Sequence, residues 1–259
     1  MLSIAGSDSG GGAGIQADLK AFARCGVHGM TAITALTAQN TVGVDAVDAV
    51  SPEMIVAQVR AVASDIGVDA VKIGMLGEAA TIDAVLGALE HVGDVPVVVD
   101  PVLVAESGAV LLEPGARAAL VERLLPRATV ATPNLPEARE LTGLGAEVAP
   151  QELARAALAL GPGAVVVTGG HTERGADLFL DGDEPRWIDG PRHPDGASHG
   201  SGCTHSSALA ASLAQGMDPF EAAVRAKQIT SEAVAAGLRG IGAGAGPVDA
   251  LRIAERRDP

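Results

Sequence analysis

Val95-Pro96-Val97-Val98-Val99-Asp100 is apolar at every position but its last. A run that is apolar on both of its alternating faces suits a strand covered on both sides, as in a parallel sheet. Similar runs recur at residues 69–73, 128–132 and 164–168, and between them residues 81–91, 114–125 and 151–160 have the spacing of amphipathic helices. This alternation predicts an α/β chain whose mainly parallel sheet is covered by helices on both faces. Ligands of such sheets sit beyond the carboxyl ends of the strands, so the residues that follow each run carry the most functional weight.

The composition narrows the classes. The 259 residues are 47% hydrophobic, mostly Ala, Val and Leu, with one Trp, three Phe and no Tyr. That supports a large core and gives little for nucleic-acid bases to stack on. A formal net charge of −14 would repel a phosphate backbone over most of the surface, so nucleic-acid binding is not expected. No linker divides residues 1–259, which read as one domain; residues 237–259 form a glycine-rich loop, 237–246, and a tail. Two cysteines far apart in sequence, Cys25 and Cys203, suggest a reducing compartment. With no leader pattern and no membrane-length apolar run, a soluble cytoplasmic protein is expected.

The richest segment for chemistry is Ser198-His199-Gly200-Ser201-Gly202-Cys203-Thr204-His205, which leads into an Ala-rich helix predicted over residues 206–214. Residues 200–203 can fold into a concave turn whose N–H groups add to the helix's positive end, which makes an anion hole with a thiol in it. A helix N-terminus favours thiolate over thiol, so Cys203 is expected to act as a base or nucleophile near neutral pH; a buried structural cysteine is the alternative.

Other strand ends are also polar. Gly6-Ser7-Asp8-Ser9-Gly10-Gly11-Gly12-Ala13-Gly14 follows a strand predicted at residues 2–5, but no Lys-Ser or Lys-Thr follows its last glycine, which excludes a Walker A loop. Gly12-Ala13-Gly14-Ile15-Gln16-Ala17 matches a dinucleotide fingerprint but begins too far beyond the strand. The cluster instead lets bare backbone lie against a planar ligand, with Asp18 in the helix that follows. Asp100 and Glu137 suit a magnesium ion carrying nucleotide phosphates; they equally suit amides at helix starts. Gln39, after a strand predicted around residues 30–33, has the donors and acceptor to read an aminopyrimidine edge, or is a surface side chain in a turn.

Together, residues 6–18, Thr34-Ala35-Leu36-Thr37-Ala38-Gln39-Asn40-Thr41, Val71-Lys72-Ile73-Gly74-Met75-Leu76, Val99-Asp100-Pro101-Val102, Thr132-Pro133-Asn134-Leu135-Pro136-Glu137-Ala138 and His199-Gly200-Ser201-Gly202-Cys203-Thr204 closely resemble the hydroxymethylpyrimidine and phosphomethylpyrimidine kinases of thiamine biosynthesis, in the ribokinase-like superfamily. The resemblance runs in unbroken order over residues 2–238. It implies a three-layer α/β/α sandwich, magnesium ATP as phosphoryl donor, two successive phosphorylations of a hydroxymethylpyrimidine, and a homodimer. It places Cys203 beside the substrate hydroxyl, with Gly200, Ser201, Gly202 and the Cys203 amide as the anion hole. Gln39 would read the pyrimidine edge, Gly6, Met75 and Val102 would line the ring pocket, and Asp18 would lie nearby. Asp100 and Glu137 would hold magnesium, while Asn134, Thr168 and Gly170 would bind the nucleotide.

The chain departs from the family pattern at three positions. Ser201 stands where Thr is usual, which keeps the hydroxyl, and Ile73 replaces a Thr near the ring pocket. Thr168, before Gly169-Gly170-His171, replaces a Lys able to contact nucleotide phosphates. Pyridoxal or pyridoxine kinase activity, a non-catalytic pyrimidine-binding relative, and a cysteine hydrolase using Cys203 with His199 or His205 are the competing readings. The last is disfavoured because His205, two residues from Cys203, would point off along the helix.

Overall fold

A computed structural model describes residues 1–105, 108–169, 175–194 and 196–253. Gly170, His171 and the last six residues of the tail lie outside the described residues. One nine-stranded sheet runs in the order β3-β2-β1-β4-β5-β6-β7-β8-β9. Its strands are β1 (Leu2–Asp8), β2 (Met30–Gln39), β3 (Val44–Ala49), β4 (Val71–Ile73), β5 (Val97–Val99), β6 (Val130–Ala131), β7 (Ala164–Val167), β8 (Asp177–Leu180) and β9 (Arg186–Ile188). The strands from β2 through β7 pair in parallel, and β3, β8 and β9 extend the two edges by antiparallel pairing.

The period-two geometry of β5 explains the opening valine run. Val97 and Val99 enter a core shared with Ile55, Ile82, Val85 and Leu120, whereas Val98 points the other way, into a core with Phe22, Val166, Phe179 and Leu209. The first core is covered by α2 (Pro52–Asp65), α3 (Ala79–Leu89) and a mixed helical segment, 114–127, that contains the short α4 (Arg117–Ala119). The opposite core is covered by α1 (Gly14–Arg24), α7 (Ser201–Ala214) and α8 (Pro219–Ala235). Leu153, Ala154 and Ala157 of α6 (Pro150–Leu158), with Ala138 of α5 (Leu135–Thr142), pack on Val165 and Val167 of β7. The expected three-layer α/β/α sandwich is the observed one.

Three predicted boundaries move, each for a physical reason. β1 continues past a bulge between Ala5 and Ser7 and pairs Ser7 with Leu36 and Asp8 with Thr37, so the glycine cluster begins inside a strand. β2 likewise runs to Gln39, because β3 pairs with its second half. α7 starts at Ser201, not residue 206, which puts Gly202 and Cys203 in the helix's first turn. The glycine-rich stretch 237–246 is tied down at its end: His199 N–H donates to the Gly246 carbonyl, and Val248 N–H donates to the His199 carbonyl.

Gly200 caps α7 with φ +82°, and a Cβ there would lie 1.8 Å from the Gly12 carbonyl oxygen. Both the left-handed backbone and the close approach to the glycine loop therefore require glycine. Gly200→Ala is expected to lower the thermal midpoint by roughly 5–10 °C, from left-handed strain plus collision. Gly202→Ala, which meets nothing within 4 Å, should leave the midpoint within about 3 °C in the same calorimetric scan.

Candidate active site

The carboxyl ends of the parallel strands and the start of α7 enclose a cavity of about 690 Å³. Gly6, Gln39, Met75, Val102, Asp100, Asn134, Glu137, Thr168 and residues 200–203 all line it, so one space gathers nearly every residue singled out by sequence. Asp18 does not line it.

Asp18 is instead fully buried beneath the cavity. Lys72 Nζ donates to both of its carboxylate oxygens, at 2.8 and 3.0 Å. Ser3 Oγ donates to Oδ2 at 2.5 Å, and Ser207 Oγ to Oδ1 at 2.8 Å. With every lone-pair direction of its carboxylate drawn inward, Asp18 anchors the site and does not touch a ring. A lysine in the apolar run 69–73 was the signal for such a partner, since a buried lysine must be paired. Burial alone would push the Lys72 ammonium down, but the negative charge of Asp18 leads a set of neighbours that hold it above its ordinary range.

Ile73 also departs from expectation. It is fully buried in the core with Ile4 and Val99 and does not line the cavity, so its exchange for Thr leaves the ring pocket's polarity unaltered.

The N-terminal loop is organised by Asp8, which the sequence reading passed over. Its carboxylate accepts the N–H groups of Gly10 at 2.7 Å, Gly12 at 3.0 Å and Ala13 at 2.8 Å, and lies 3.0 Å from His199 Nε2. Burial pushes the Asp8 carboxyl up, but His199 and the loop amides outweigh it and hold the group below the usual carboxylate range. The signal was present: a glycine loop leaves amides without partners, and an aspartate among them collects those amides. His199 is thereby bonded to Asp8, and His205 Nε2 lies 3.4 Å from Asp177 Oδ2. In both histidines it is Nε2 that faces a carboxylate and not the Cys203 thiol, so no cysteine–histidine pair is formed through that nitrogen.

In the first turn of α7, Ser201 N–H is spent on the Ser198 carbonyl at 2.9 Å and Thr204 N–H on the Gly200 carbonyl at 2.9 Å. Among the described residues, the Gly202 and Cys203 amides have no acceptor, which leaves two donors at the helix's positive end. The Ser201 amide is therefore not one of the open donors. Burial and the carboxylates of Asp18 and Asp100 push the Cys203 thiol up to about 12, against the opposing pull of Lys72. The expectation of a thiolate near neutral pH is corrected: burial outweighs the helix end and holds Cys203 as a thiol.

Asp100 and Glu137 form the acidic part. Ser206 Oγ donates to Asp100 Oδ2 at 3.0 Å. Glu137 and Asn134 complete a capping box at the start of α5: Asn134 N–H donates to Glu137 Oε2 and Glu137 N–H to Asn134 Oδ1, each at 2.9 Å. Both readings of Glu137 are therefore compatible, since one carboxylate caps the helix and faces Asp100. Burial, then the charge of Asp100, pushes Glu137 up to about 8, and burial raises Asp100 as well. Two such carboxylates repel until a cation or proton separates them. Hard oxygen donors of this number fit magnesium, which takes one or two carboxylates and completes its shell with phosphate oxygens and water. Among the described residues, no group of three metal-binding side chains is gathered, so a protein-only metal cage is not built.

Comparison with known proteins agrees with this geometry. The family described as phosphomethylpyrimidine kinase matches residues 8–249. The hydroxymethylpyrimidine/phosphomethylpyrimidine kinase of Rhizobium meliloti (strain 1021) is 51% identical over 253 residues, 95% of each chain. The pyridoxal kinase of Staphylococcus aureus, solved in complex with ADP, superposes with a TM-score of 0.87 at 36% identity, covering 96% of this chain and 92% of that one. The phosphomethylpyrimidine kinase of Clostridium difficile 630 gives a TM-score of 0.79 at 40% identity over 90% of this chain and 98% of its own. A cavity at the sheet's carboxyl edge, open helix-start amides beside a cysteine, and a family match over most of the chain lead to one conclusion: this protein belongs to the phosphomethylpyrimidine kinase family.

Proposed function

We propose that the protein transfers the terminal phosphate of ATP to the hydroxymethyl group of a 4-amino-5-hydroxymethylpyrimidine, and then phosphorylates that monophosphate to the diphosphate used in thiamine biosynthesis. The observation that carries this reading is the convergence on one cavity of Gln39 and Met75, the Cys203 end of α7, and the Asp100–Glu137 pair. In this reading Gln39 pairs with the aminopyrimidine edge, and Thr37 Oγ1, 3.0 Å from Gln39 Oε1, steadies its amide. Gly6, Met75 and Val102 flank the ring, while Asn134 and Thr168 lie against the nucleotide; Gly170 would belong with them but lies outside the described residues.

Phosphoryl transfer demands alignment and charge neutralisation more than covalent chemistry. The Gly202 and Cys203 amides would stabilise charge on the moving phosphoryl group. Magnesium, held by Asp100 and Glu137, would neutralise phosphate charge and the Asp100 charge that helps keep the thiol protonated. With that charge lowered, the Cys203 thiol would release its proton to solvent, and the thiolate so formed would take the hydroxyl proton as attack proceeds. The exposed edge strand β3, with Val47 on one face of the β2–β3 pair and Leu36 on the other, would be covered by a homodimer formed through this edge. Among the described residues no helix is long and apolar enough to cross a membrane, and a cytoplasmic location suits two free cysteines.

The likeness to S. aureus pyridoxal kinase favours a second acceptor, pyridoxal, within the same chemistry. ATP consumption by the purified protein, measured with hydroxymethylpyrimidine, its monophosphate and pyridoxal as separate acceptors, tests both; turnover of pyridoxal alone would overturn the pyrimidine reading.

Cys203→Ala is expected to lower kcat by about 10²–10⁴-fold while pyrimidine binding, measured by calorimetry, stays within about threefold. Unchanged turnover would remove Cys203 from the proton path. Because burial and the charge of Asp100 raise the Glu137 carboxyl to about 8, magnesium must displace a proton to bind below that pH. Titration with Mg²⁺ alone should show affinity rising from about pH 6 to about pH 9, and Glu137→Gln should flatten that rise.

A further inference from the structure

One cation at the cavity has no role in the account above. Lys227, in the middle of α8, has a side chain only 12% exposed and lines the same space as Thr168 and Gly202. Its ammonium donates to the Gly175 carbonyl at 2.6 Å and to Asp177 Oδ1 at 2.9 Å. That same Oδ1 accepts the N–H of Gly169, the residue after Thr168, at 2.9 Å. The other carboxylate oxygen lies 3.4 Å from His205 Nε2 on α7. One carboxylate thus brings the Lys227 ammonium against the end of β7 and beside the helix whose first amides lack acceptors. Gly190 opens the way, since a Cβ there would come within 2.8 Å of Lys227 Cε.

The charge of the cavity calls for such a group. The chain carries a net −14, and Asp8, Asp100, Glu137 and Asp177 all line the cavity, so a polyphosphate needs positive charge placed locally. Lys72 is closed on Asp18, and Arg192 lies exposed. An ammonium has three donors, and the two bonds of Lys227 leave one for a ligand oxygen. Asp177 remains a carboxylate that can hold it: burial pushes that group up, but His205 and Lys227 bring it below its ordinary range.

We propose that Lys227 is the cation that grips the nucleotide's phosphates, supplying from α8 the positive charge that Thr168 cannot supply from the end of β7. The proposal rests on the kinase reading and deepens it by naming this chain's own phosphate-binding lysine.

The test is calorimetric titration of the full-length protein with ADP and magnesium, alongside KM for ATP, for wild type, Lys227→Gln, Thr168→Lys and the double variant. Loss of one charged hydrogen bond predicts that Lys227→Gln weakens ADP about 10–100-fold, with hydroxymethylpyrimidine binding within about twofold. Thr168→Lys should change ADP affinity less than about threefold in wild type but recover most of the loss in the Lys227→Gln background. A purely structural lysine would lower the melting temperature and weaken both ligands alike, and Thr168→Lys would not repair it. ADP affinity of folded Lys227→Gln within about twofold of wild type, or equal gains from Thr168→Lys in both backgrounds, overturns the proposal. If removing Lys227 leaves Asp177 buried and the chain unfolded, Asp177→Asn/Lys227→Gln replaces it. Thr168→Lys alone then still decides, because a gain of about tenfold or more in wild type would mean the cation position was vacant. A wild type that binds ADP yet phosphorylates none of the acceptors overturns the kinase reading, while the Lys227 comparison is still read from ADP binding.

Discussion

The buried ion pair between Lys72 and Asp18 is the constraint on which the rest of the site depends. It joins β4 to α1, takes a hydroxyl from β1 through Ser3, and takes another from α7 through Ser207. Four elements of the sandwich therefore meet at one carboxylate. Removing one partner of such a pair strands a charge in the interior and costs about 3–5 kcal/mol, while exchanging both for apolar groups of like volume is often neutral. Retaining the pair here has a reason beyond stability, because the positive charge of its ammonium opposes the burial that raises the Cys203 thiol and the Asp100 carboxyl.

The same logic extends outward. Ser206 and Ser207 follow Cys203 by three and four positions on one face of α7, so that single face carries the thiol, the Asp100 contact and the Asp18 contact. Any rotation of the helix that aimed the sulfur elsewhere would break both serine bonds. On the other side, Asp8 fastens the glycine loop to His199, directly before the cap of α7. Asp177 does the matching work between β7, α7 and α8. Three buried aspartates thus fix the positions of the groups that face the cavity, and none of the three needs to touch an acceptor substrate to matter.

Much of this was legible before any coordinates. The Val97-Val98-Val99 run declared a doubly covered strand, and the polar residues after each such run are the ones that line the cavity. What escaped were pairings with no local signature: Asp8 with His199 spans 191 residues, Lys72 with Asp18 spans 54, and Lys227 with Asp177 spans 50. Periodicity reports which face of an element is apolar, but not which partner a charged side chain finds across the fold. The antiparallel strand β3 was missed for a related reason, since it is exposed along most of its length and offers no burial pattern to read. The thiolate expectation for Cys203 failed because a helix end was weighed without the desolvation that burial adds.

The bonds of His199 to Gly246 and Val248 carry one more implication. The first strand and loop of the chain form one wall of the cavity, and the turn that leads into α7 is pinned by residues near the opposite end. During synthesis, every central strand can find its neighbour while the catalytic turn still waits for its last support. Closure of the working centre therefore depends on residues 246–248, which follow every strand of the sheet in the chain.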